Sequence, residues 1–203
     1  MKKLFLMVLA LVTLFSAVCS AEVQKSYDDR NSRAIIRTLK FIPAAELDPD
    51  STICINMKKI YFFDSRFYDN AVGRYNPRLY FTVALIGNAA EKFANTLTCT
   101  AGRSSFELPL SVEAKQNEKK QTVLASGTCE FKNPSPQEPF LKALQQGNPM
   151  KLEVVLKSKR HDVLRCSLEG KLLEELQEVA AYDIYDDANF LNMAAKANQR
   201  PKY

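Results

Sequence analysis

Two-residue alternation of apolar and polar positions dominates the middle of the chain. Over positions 78–86, Leu79, Phe81, Val83 and Leu85 fall on one face of an extended segment, because side chains along a strand point to alternate sides. Positions 104–114 repeat the pattern, with Phe106, Leu108, Leu110 and Val112 on one face and Glu107, Ser111 and Glu113 on the other. Positions 121–131 align Val123, Ala125, Gly127, Cys129 and Phe131. Two earlier stretches, 34–42 and 52–63, are rich in β-branched and aromatic residues and predict strands as well. In the second the alternation slips near Lys58 and Lys59, which predicts a bulge or bend.

Short turns connect these runs. Positions 96–100 and 104–114 predict a hairpin closed at Ala101, Gly102 and Arg103, and 121–131 returns across a charged turn at 116–120. A third hairpin is expected from 151–157 and 162–168, where Leu164, Cys166 and Leu168 share a face.

Elsewhere the period lengthens to that of a helix. Pro139 suits the first turn of a short helix through Gln145, with Phe140, Leu141 and Leu144 as its apolar face. In 171–181, Leu172, Leu173, Leu176, Val179 and Ala180 recur at helical spacing opposite Glu174, Glu175 and Glu178. A weaker helical piece covers 188–197. The expected fold is therefore mainly β: an antiparallel β-sandwich of about eight strands, with short helices and a helical C-terminal tail. A small barrel is the alternative.

The first residues change the picture. Lys2 and Lys3 precede an apolar run from Leu4 to Val18 and then small residues, the layout of a secretory signal peptide over 1–21. The run is short for a bilayer span, which takes about 20 apolar residues. Cys19 raises the alternative of lipid attachment as an outer-membrane lipoprotein, although the bulky Val18 before it fits that processing poorly. The organisation expected is a leader (1–21), a flexible lead-in (22–32), a β-sandwich domain (33–169) and a helical, polar tail (170–203), with the mature chain periplasmic or secreted and free of a transmembrane segment.

In an exported chain, Cys54, Cys99, Cys129 and Cys166 predict two disulfides rather than a metal site or a nucleophile, since no pair has CxxC spacing and the chain holds one histidine. If 96–131 forms one meander, Cys99 and Cys129 flank its central strand. Two strand spacings, about 9–10 Å, then part them, beyond the roughly 7 Å a bridge tolerates. The preferred pairs are accordingly Cys54 with Cys99 and Cys129 with Cys166.

Charge excludes little except nucleic acid. Loss of the leader's two lysines lowers the formal charge of +5 by two, too balanced for a polyanion partner. His161 sits in a basic turn without an orienting group, so catalysis there is not expected. Asp183, Asp186, Asp187 and Asn189 gather oxygen ligands, but without the spacing and glycine of a calcium loop; no metal or cofactor is expected. The absence of a usable nucleophile favours binding over catalysis. A hydrolase working through carboxylates such as Asp64 and Asp69 is the alternative.

One stretch is composed for contact. Positions 60–81 carry two aromatic strand-like runs joined by a loop of arginines, aspartates and more aromatics. The strand aromatics are explained by a core. Arg66, Phe67, Tyr68, Arg74 and Tyr75 remain as candidate binding residues, types that dominate interface hot spots, and a protein partner or surface ligand is the expected target.

Overall fold

The computed structural model describes residues 23–43, 51–87, 96–101, 103–109, 111–117, 120–131, 138–146, 152–157 and 163–198. The expected leader with Cys19, and His161, lie outside the described residues.

The fold is mainly β and antiparallel. A six-stranded sheet is ordered β1 (Gln24–Asp28), β2 (Arg33–Pro43), β3 (Thr52–Phe62), β6 (Arg78–Ile86), β10 (Lys120–Phe131), β9 (Ser111–Asn117). A four-stranded sheet is ordered β12 (Val163–Leu168), β11 (Leu152–Lys157), β7 (Thr96–Ala101), β8 (Ser104–Pro109). β4 (Tyr68–Asp69) and β5 (Arg74–Tyr75) form a two-stranded hairpin of their own. Three helices complete the described chain: α1 (Glu138–Gln146), α2 (Gly170–Ala181) and α3 (Ala188–Asn198).

Alternation places Ile53, Ile55, Met57, Phe81, Val83 and Leu85 on one face of the large sheet, all buried. Burial of each such side chain contributes roughly 1.5–3 kcal/mol over leaving it exposed. α1 delivers Phe140 against Phe81 at 5.4 Å and against Phe106 of the smaller sheet, also at 5.4 Å. Aromatic contact through Phe140 thus ties the two sheets together. α2 packs on β2 and β3 with Leu172, Leu176, Val179 and Ala180 buried.

Four expectations are corrected. The lead-in is not loose over its length: β1 pairs with β2 from Gln24 opposite Arg37 to Asp28 opposite Arg33. Asp28 closes the turn by accepting from the Arg30 and Asn31 amides and from Arg33 Nε at 2.8 Å, while Ser32 adopts a left-handed φ of 47°. Nor does β3 bulge at Lys58 and Lys59, because its register with β2 and β6 is unbroken. Ile60 and Tyr61 are both buried, on opposite faces, which blurs the pattern, and Lys59 occupies the inner face.

The third correction is to the meander. Positions 104–117 form two strands either side of Leu110, and these belong to different sheets. Pro109 lacks the N–H that would carry the ladder onward, which suits the end of a strand. Cys99 therefore lies across from Phe106 in the small sheet and Cys129 across from Phe81 in the large one.

The fourth concerns the bridges. All four cysteines are free thiols, so neither expected disulfide is formed. Cys54 alternates with buried Ile53 and Ile55 and projects from the opposite face, away from the core that holds Cys99.

Candidate functional site

The loop 63–77 is built by its own polar residues. Asp64 caps the single helical turn Ser65–Phe67 by accepting from the Arg66 amide, and its two oxygens also take Arg66 Nε at 2.9 Å and Nη2 at 2.8 Å. This two-pronged pairing holds the Asp64 carboxyl down at about 2. Asp69 accepts from the Ala71 amide at 2.9 Å, and the Gly73 amide donates to Asp69 O at 2.8 Å, closing the hairpin. Gly73 sits at φ +67°, a left-handed conformation that a side chain would strain.

Aromatic rings fix the hairpin to the sheet. Phe67 stacks on Phe62 at 4.7 Å and lies under the Arg78 guanidinium at 4.8 Å. Tyr75 meets Phe63 at 5.1 Å and Tyr68 at 5.0 Å, edge to face in both cases.

The far side of the hairpin rests on the segment between α2 and α3. The Tyr75 amide donates to Tyr185 Oη at 2.7 Å; Arg74 pairs with Asp183 at 3.2 Å and lies 4.9 Å over the Tyr185 ring. Beneath them Lys59 donates to Ala180 O at 3.0 Å and to Tyr182 O, satisfying carbonyls left open at the end of α2. Burial lowers the proton affinity of Lys59. Tyr61 Oη donates to Tyr182 O and accepts from the Ile184 amide, and burial pushes its hydroxyl up to about 12. A half-open cavity of about 350 Å³ is lined here by Lys59, Tyr61, Val72, Arg74, Tyr75 and Asp183, among others.

All five sequence candidates lie on this one loop, with unequal roles. Phe67, Arg74 and Tyr75 are committed to holding the loop. Arg66 is exposed, and Tyr68 is 39% exposed. Val72, 61% exposed at the turn, escaped the sequence reading because a lone valine in a polar loop carries no pattern. Lys59 and Tyr185 were missed as well, and Asp183 was weighed only as a calcium ligand. The aromatic and acidic composition of 182–187, complementary to the Arg-aromatic loop, was the available signal.

The acids read as calcium candidates act as caps and ion pairs. Asp183 accepts from the Tyr185 amide at 3.0 Å. Asp187 takes Lys25 Nζ at 2.7 Å, Tyr182 Oη at 3.1 Å and the Phe190 amide at 3.0 Å; with Lys25 contributing most, its carboxyl is held at about 2. Among the described residues no group of three or more His, Cys, Asp or Glu is placed to hold a metal ion. Burial pushes the Cys54, Cys129 and Cys166 thiols up to about 11, and Cys99 higher still, so all four are protonated near neutrality and weak nucleophiles.

No protein-family model matches this chain, and no curated protein and no solved structure matches it either. Among the described residues no helix is long and apolar enough to cross a membrane, which says nothing of strands.

Proposed function

We propose that this is an exported, non-enzymatic binding protein of the cell envelope or extracellular space, a β-sandwich that engages a protein partner through the tip of the 63–77 loop. One observation carries the reading: of the three exposed large hydrophobic residues among those described, Tyr68 and Val72 both lie on this hairpin, next to exposed Arg66. Aromatic and arginine side chains on a braced loop are suited to a partner, since little entropy is lost on fixing them. Export is supported by the leader-like residues 1–21, with anchoring at Cys19 as the other outcome of processing.

The test is capture from an envelope extract, comparing the unmodified protein with a variant carrying Arg66→Ala, Tyr68→Ser and Val72→Ser. Capture of a defined partner that the triple variant loses supports the reading. Equal capture by both proteins moves the binding surface elsewhere.

A further inference from the structure

Resting on the same hairpin but on its inner side, we propose that the cavity beneath it binds the carboxylate of a small apolar or aromatic acid, or of a chain end of that kind, with Lys59 as the anchoring cation.

The donor count points there. An ammonium carries three N–H donors, and Lys59 gives one to Ala180 O and one to Tyr182 O. Its third donor has no partner among the described residues, and Lys59 lines the cavity. A half-buried charge with an unused donor favours an acceptor, above all a charged one.

Charge in the cavity wall agrees. Its cations are Lys59 and Arg74, and the single carboxylate among the lining residues, Asp183, is taken up by Arg74 and by the Tyr185 amide. The balance leaves one positive charge, that of Lys59. The rest of the lining, including Tyr61, Tyr75, Val72 and Pro77, offers ring faces and aliphatic surface. About 350 Å³ is at the lower end of small-ligand sites and suits a body the size of one large residue. Burial disfavours the Lys59 ammonium and the Asp183 carboxylate offsets this in part, so a second carboxylate at the free donor would favour the charged form further.

The experiment is a titration of ¹⁵N-labelled protein with N-acetylphenylalanine and with its primary amide, which differ in charge at one group. Saturable shifts at the Lys59, Tyr61, Ala181 and Asp183 amides are expected with the acid, and at least tenfold weaker binding with the amide. Lys59→Met should erase that preference. Ala181→Phe, which leaves the Lys59 bonds in place and adds a ring to the cavity wall, should abolish binding of both probes. Should Lys59→Met fail to fold, the acid and amide pair on unmodified protein and the Ala181→Phe variant still decide the matter. A third probe, 3-phenylpropionate, separates the sources of the carboxylate. Affinity equal to that of N-acetylphenylalanine supports a free acid, and tenfold weaker binding supports a chain end. Equal affinity for acid and amide, a preference that survives Lys59→Met, or shifts confined to other regions would overturn the carboxylate site. Partner capture by the tip is read separately, through Arg66→Ala and Tyr68→Ser, neither of which lines the cavity, whereas Val72 borders both surfaces.

Discussion

Lys59 and Arg66 are cations seven positions apart at the two ends of one structural unit, and they are held in opposite ways. Lys59 is on the inner face of β3 and is bonded to two backbone carbonyls more than 120 residues away. Arg66 is bonded to a carboxylate two residues away and is otherwise exposed. The root of the hairpin is thus fixed by long-range contacts that depend on the whole fold, whereas its tip is fixed by local contacts that form within the loop. Residues of the first kind should matter for stability, and residues of the second for what the surface meets.

Tyr61 gives the largest test of that division. It is 2% exposed, among the largest fully buried side chains, and bonds both Tyr182 O and the Ile184 amide. Tyr61→Ala should cost about 3–5 kcal/mol, the range for an aromatic lost from a core. Tyr61→Phe, which removes the hydroxyl and leaves the Ile184 amide without it, should cost roughly 1–2 kcal/mol. Urea denaturation measures both. A Tyr61→Ala variant as stable as the parent would mean that the root does not bear on folding.

Arg74 joins the two regions and should fall between them. Its pair with Asp183 and its position over Tyr185 are partly solvent-exposed, so Arg74→Ala should cost about 0.5–1 kcal/mol. Hydrogen exchange at the Tyr75 amide, which donates to Tyr185, should rise while exchange in the strand Arg78–Ile86 stays unchanged. Faster exchange across that strand would show that the hairpin is not a separable unit.

Acid offers a smaller and graded perturbation. Asp187 and Asp64 are each held at about 2, against an ordinary 3.8, by Lys25 and Arg66 respectively. A depressed carboxyl contributes its stabilisation in full above the unfolded value, and loses it as pH falls through the folded one. The melting temperature should therefore drop between about pH 4 and pH 2. Lys25→Met should flatten part of that drop, because it releases Asp187. A slope unaltered by Lys25→Met would assign the acid sensitivity to other carboxylates.

The strands and helices were largely legible because periodicity is local. Positions 78–86 read as one strand and form one, and the short helix opening near Pro139 forms as Glu138–Gln146. What the sequence hid was partnership. Glu175 reads as a solvent-facing acid, yet it is 5% exposed and accepts from Thr38 Oγ1 at 3.1 Å, a contact 137 residues away in the chain. Lys59 interrupts an apolar pattern for a reason visible only once the end of α2 is known to lie over it. The cysteine pairing failed for a kindred reason: a chain whose strands Ser104–Pro109 and Ser111–Asn117 belong to different sheets alternates no differently from one that stays in a single sheet. Composition singled out the loop that carries all five candidate binding residues. Separating Phe67, Arg74 and Tyr75, which hold it, from Arg66 and Tyr68, which face outward, required the positions of Phe62, Asp183 and Tyr185.

The smallest expected effect on folding is at the tip, and it is the sharpest test of the division. Arg66 contacts Asp64 and lies 5.9 Å over the Phe67 ring, Tyr68 contacts Tyr75 across the hairpin, and Val72 is 61% exposed at the turn. The Arg66→Ala, Tyr68→Ser, Val72→Ser variant should unfold at a urea midpoint close to that of the parent, since neither the sheet nor the bonds to 180–185 involve these side chains. Local sites of this kind seldom move stability far. Capture of a partner should nevertheless fall sharply, because all three side chains are exposed and two of them are large hydrophobics. If the variant instead unfolds as readily as Tyr61→Ala, the tip is part of the scaffold, and its exposed apolar residues no longer argue for a partner.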